Sequence, residues 1–104
     1  MDLTATRAQI HQARTEEAVF LHVQKYLESM DEQDFEGLPD ELRPHLIRSA
    51  GDVSSWALYF NRQDLTIPPG EGARTVLRDM LQLFTTAAHR IAEIGIDRVH
   101  RLKS

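Results

Sequence analysis

Between Val76 and Ile94 the chain sets Met80, Leu81, Phe84, Ala87, Ala88 and Ile91 at three- and four-residue spacings, with Leu77 at the near end. That period belongs to an α-helix, and the apolar sector it draws is wider than one surface helix needs. A segment of this kind, predicted over 73–94, has to be the central and most buried element of whatever forms. Gly95 followed by Ile96 reads as a helix stop of the Schellman kind, with a short basic helix or tail over 96–104.

Two further helical segments are legible. Ile10, Ala13, Phe20, Val23, Leu27 and Met30 trace one stripe, which predicts a single helix over 3–30. "RTEEA" at 14–18 holds a competing signal, because Thr15 followed by two acids suits a helix start. Another helix is predicted over 44–63. Pro44 suits a first turn, and Leu46, Ala50, Val53, Ala57 and Phe60 share a face. The "SWALYF" run at 55–60 reads alternatively as a short buried strand. The double proline of "DLTIPPGEG" separates this element from the last.

These segments predict an all-α fold: one domain over 1–104, a small bundle of three main helices. A chain of 104 residues that is 41% hydrophobic can bury a single core without staples. The breadth of the last helix predicts that dimerisation completes the bundle. Trp56, Phe60, Leu77, Met80, Leu81 and Phe84 are the residues expected at that interface. There is no cysteine, which removes disulfides and thiolate chemistry. No apolar run approaches the ~20 residues of a membrane span, and "MDLTATRAQIHQ" has no apolar leader core. The expected compartment is cytoplasmic, with no membrane partner.

The charge is uneven. Residues 1–52 carry five Lys/Arg against eleven Asp/Glu, and residues 53–104 carry seven against five. Opposed halves can attract one another within a fold or between copies, while a net charge of −4 disfavours general nucleic-acid binding. Six acids crowd "DEQDFEGLPDELRP" at 31–44. Set on an EF-hand with Gly37 at the sixth position, Glu32, Asp34 and Glu36 fall on ligand positions. Position twelve is then Arg43, a cation where a bidentate carboxylate belongs. A solvated connector is the better reading, with Asp40 and Glu41 complementing the dipole of the helix that follows. Phe35 and Leu38 within it are candidates to tuck under the bundle.

Five histidines raise a metal site as a weaker possibility. His11 and His22 share a helix face, as do His89 and His100, and Glu93 stands one turn after His89. Eleven residues is about 16 Å of helix, so neither pair chelates alone. Paired Glu-x-x-His and His-Glu-x-x-His motifs are absent. The serines lack a nucleophile elbow and "PPGEGAR" lacks the phosphate-loop lysine, so neither an enzyme nor a cofactor is expected. "IRSAGDVSSWALYFNRQ" at 47–63 resembles, as a motif only, the turn and second helix of a helix-turn-helix. Arg48, Arg62, Arg98, Arg101 and Lys103 would be its nucleic-acid contacts. Asp52 occupies a position where that motif packs an apolar residue, and the helix is too apolar to read bases. The function expected from the sequence is therefore a non-catalytic protein–protein interaction or regulatory module, a small homodimer or the receptor of a protein client. A DNA-binding regulator is the alternative, and a His/Glu metal-binding protein comes third.

Overall fold

The structure, a computed structural model, describes residues 2–35, 38–62 and 71–103. The described elements are α1 (Leu3–Gln12), α2 (Glu16–Glu28), α3 (Glu32–Phe35), a 3-10 turn (Pro44–Leu46), α4 (Ala50–Asn61) and α5 (Glu71–Lys103). No described residue is in a strand, so "SWALYF" is helical. Four of the α-helices are long, where the sequence predicts three.

The first predicted helix is two. Ala13 adopts an extended backbone (φ −63°, ψ 135°), and its N–H bonds back to the Ile10 carbonyl, closing α1. Thr15, also extended, then accepts a hydrogen bond from the Ala18 N–H and opens α2 with Glu16 and Glu17 in its first turn. The cap in "RTEEA" prevails over the continuous stripe. The stripe survives the break because Ile10, Ala13, Phe20, Val23 and Leu27 all enter one core.

The second predicted helix starts later than Pro44. Pro44 opens only the 3-10 turn, and the helix proper begins after Ser49, whose hydroxyl accepts the Asp52 N–H. Asp52 returns the favour, its carboxylate accepting the Arg48 N–H at 3.1 Å. This reciprocal cap explains an acid where a helix-turn-helix would want an apolar residue. Arg48's amide, and after it the Ser49 hydroxyl, hold the Asp52 carboxyl below its usual range. Residues 63–70, including the double proline, lie outside the described residues.

α5 carries the architecture. Its 33 residues extend about 50 Å at 1.5 Å per residue, the whole long dimension of a body measuring 52 × 25 × 24 Å. Met80, Leu83, Phe84, Ala87, Ile91 and Ile94 form its buried face, and α1, α2 and α4 all pack against it. α1 runs parallel to it: Arg7 donates through Nε to the buried Thr86 hydroxyl at 3.0 Å, and Arg90 Nε donates to the Ala13 carbonyl at 2.8 Å. Phe60 of α4 stacks on Phe84, centroids 5.7 Å apart at 21°.

Gly95 is not a stop. α5 continues through it to Lys103, and the glycine has no positive φ. Glycine permits a left-handed conformation without demanding one, and ending here would forfeit two turns of backbone hydrogen bonds. A Cβ added at Gly95 meets nothing within 4 Å. Gly95→Ala therefore raises unfolding free energy by about 0.5–1 kcal/mol in chemical denaturation, with an unchanged m-value. Loss of stability instead would show that the helix bends at this position.

Candidate functional site

The acidic connector is anchored rather than loose. Leu38, Leu42 and Ile47 are buried in the core, and Phe35 packs half-buried against it. Gln24 donates to the Ile47 carbonyl at 2.7 Å, tying the connector to α2. Asp31, Glu32, Asp40 and Glu41 remain exposed. The apolar residues amid the charge thus hold the segment down while its acids keep its surface wet.

This arrangement leaves an open cleft of about 430 Å³ lined by Glu32, Phe35, Asp40 and Arg43. Arg43, the residue that spoils the calcium reading, carries its guanidinium carbon 6.0 Å from the Phe35 ring centroid. Glu32 and Asp34 belong to the helical turn α3, not to a ligand loop. Glu36 and Gly37 lie outside the described residues. Among the described residues that line it, none is a nucleophile paired with a base.

The weaker candidates are spread apart. His11 and His89 are exposed, and His22 is half-buried, its burial and then Lys25 lowering its pKa. Glu93 is engaged with Arg90 at 3.2 Å. The side chain of His100 lies outside those described. No group of three His, Asp or Glu among the described residues could hold a metal ion.

Arg48 and Arg62 are exposed at the two ends of α4. Arg98, Arg101 and Lys103 lie on the last turns of α5, with side chains outside those described. Residues 44–63 do not form a two-helix unit, because α4 is preceded by a 3-10 turn. α4, the helix that would have to read bases, has Val53 and Phe60 buried.

The six residues expected at an interface divide in two. Phe60, Met80 and Phe84 are 0–1% exposed, committed to the core of their own chain, and offer no surface to a partner. Trp56, Leu77 and Leu81 pack against that core and are half-buried. The broad face of α5 is thus largely covered by its own chain.

What remains uncovered lies further along. Ile96 and Val99 are 56% and 50% exposed, and Ala92 is exposed one turn before Ile96. With Leu77, Leu81, Thr85 and Ala88, all half-buried, they make one stripe at intervals of four, four, three, four, four and three residues. At about 100° per residue the stripe stays within a sector of roughly 100°. Its middle residue, Ala88, stands about 40° round the helix from the fully buried Phe84, and Leu77, Leu81 and Ala88 pack against the core, so the stripe flanks the buried face and is bare only at Ala92, Ile96 and Val99. No charged residue falls among the seven positions. The period was available from the sequence, and reading Gly95 as a stop hid its second half.

Among the described residues no helix is long and apolar enough to cross a membrane. Set beside family models, curated proteins and solved structures, the chain matches none.

Proposed function

We propose that this chain is a non-catalytic protein–protein interaction module that works as a homodimer through the exposed end of the α5 stripe, around Ile96 and Val99. The observation that carries the reading is the placement of Ile96 and Val99: two β-branched side chains, half-exposed, one turn apart on the helix that carries the core. Scattered apolar residues such as Leu21 and Leu58 are ordinary for a protein surface. Two neighbouring apolar residues left bare on the central helix, with exposed Ala92 one turn before them, are the pattern of a contact surface.

Sedimentation velocity over a hundredfold range of protein concentration tests this. The wild-type chain is expected to move from an 11.9 kDa species toward twice that mass. The double variant Ile96→Glu/Val99→Glu is expected to stay monomeric with unchanged helicity, since both side chains already face outward. A wild type that remains monomeric throughout the range, or a variant that associates as well as wild type, refutes the reading.

A further inference from the structure

We infer that α1 is an exchangeable arm. The joint at 13–15 straightens to make one helix of α1 and α2, and the released α1 seats on the α5 of a second copy, which returns its own α1. This exchange does not depend on the contact around Ile96 and Val99.

The bend is not written into the composition of the joint. Residues 10–18 read "IHQARTEEA", with no glycine or proline, and glutamine, alanine, arginine and glutamate are all good helix formers. The apolar stripe also keeps its helical spacing from Ile10 to Leu27. Bending has a cost in backbone hydrogen bonds. It creates two helix ends, and so leaves carbonyls of α1 and amides of α2 without intrahelical partners. The Ala13 N–H and the Thr15 hydroxyl each recover one such group. A straight helix over 3–28 satisfies them all.

The contacts that offset this cost are of two kinds. Thr6 and Ile10 are buried, and Arg7 donates to Thr86 at 3.0 Å and to Gln82 at 3.5 Å. These belong to α1 itself and form equally well on the α5 of a second copy, which is why exchange of an identical element is a low-cost route to a dimer. The bond from Arg90 Nε to the Ala13 carbonyl at 2.8 Å is different. It exists only while the joint is bent, because a straight helix gives that carbonyl to the Glu17 N–H. Exchange therefore keeps the docking, gains helical hydrogen bonds at the joint, and gives up the Arg90 bond and the Thr15 cap. Arg90 is the latch of the closed chain.

α1 has to leave before it can exchange, and leaving uncovers Ile10. Folded protein therefore stays closed, and the exchanged dimer accumulates only when chains fold together at high concentration. Once formed, it outlasts dilution.

The test uses the Ile96→Glu/Val99→Glu background, so that exchange and the contact at the end of α5 stand or fall separately. The chain is unfolded in guanidinium, refolded at two concentrations a hundredfold apart, diluted alike and sized. The concentrated sample is expected to hold a persistent species of twice 11.9 kDa, and the dilute one only monomer. Arg90→Ala is expected to raise the dimer fraction at least threefold. Glu93→Ala, which removes only the other partner of Arg90, is expected to leave it unchanged. Arg14→Pro is expected to abolish the dimer. Ala13 already has the extended backbone (φ −63°, ψ 135°) that a residue before proline takes, whereas proline inside a straight helix breaks it. In the isolated dimer the amides of residues 14–17 are expected to exchange at least tenfold more slowly than in the monomer, a change that association through a surface would not produce.

Monomer from every sample, Arg90→Ala included, overturns the inference and leaves the reading at Ile96 and Val99 untouched. A persistent dimer whose joint amides gain no protection also overturns it, as does one that Arg14→Pro forms as readily or that Arg90→Ala does not favour. The amide measurement is made on the unaltered joint, so it decides even where Arg14→Pro fails to fold.

Discussion

Replacing Phe84 by Ala is expected to remove about 3–5 kcal/mol of stability, a large part of the roughly 5–15 kcal/mol that holds a domain of this size together. Phe84 is fully buried on the central helix, and its ring stacks on that of Phe60, itself 1% exposed. The cost has two sources. The transfer of a phenyl group out of water is lost, and a cavity opens where α4 meets α5 and neighbours on three helices cannot all close in. For a chain near 100 residues, each kcal/mol moves the melting temperature by about 4–8 °C. The midpoint should therefore fall by some ~15–30 °C in a thermal melt followed by circular dichroism.

Phe60→Ala should be nearly as damaging, and the double variant should fall short of additivity by about 0.5–1.5 kcal/mol, the worth of the aromatic pair itself. Trp56, the chain's one tryptophan, has its ring 5.9 Å from Phe60 and reports on the same junction by fluorescence. A Phe84→Ala loss below ~1 kcal/mol would mean that α4 does not pack on α5 through these rings.

The fold class was legible because the apolar period is a property of every turn and needs no distant information. The buried face of α5 illustrates this: Met80, Phe84, Ala87, Ile91 and Ile94 are all core, as their spacing requires. Boundaries were harder, because several signals at each one point different ways. At Pro44 a residue suited to a first turn opens only a 3-10 turn, since Ser49 and Asp52 supply a better start five residues on. At Gly95 a residue that permits a stop does not cause one. The candidate surface suffered from that second misjudgment, because Ile96 and Val99 join the stripe only if the helix is continuous. Conversely, the crowd of acids at 31–41 drew notice from the sequence and does less than its density suggests. Leu38 and Leu42 determine where that segment goes, and two leucines in a polar run carry no signal of what they will meet.

The break between α1 and α2 turns on a residue that no local window contains. Arg90, on α5, donates from Nε to the carbonyl of Ala13 at 2.8 Å, across 77 positions of chain. With Ala13 buried and its backbone extended, that carbonyl has left the helix and has little access to water. A guanidinium is suited to reach it, being planar and fixed in its donors. The same side chain also forms an ion pair with Glu93 through Nη1 at 3.2 Å. The two contacts differ in worth. A hydrogen bond from a charged donor to a buried acceptor is worth about 1.5–3 kcal/mol, and its loss leaves the acceptor unsatisfied. An exposed pair at i, i+3 contributes only about 0.3–0.5 kcal/mol. Arg90→Ala should thus lower the unfolding free energy by roughly 2–3 kcal/mol, and Glu93→Ala by no more than about 0.5. Arg90→Lys should stay close to Arg90→Ala, because an ammonium keeps the charge beside Glu93 but puts no donor where Nε stands. Amide hydrogen exchange adds a readout that a generic loss of stability would not give: in Arg90→Ala the amides of residues 13–18, at the break, should open first while those of α4 keep their protection. Equal costs for Arg90→Ala and Glu93→Ala would show that the ion pair matters and the carbonyl clamp does not. The joint between α1 and α2 would then depend on the Thr15 cap alone.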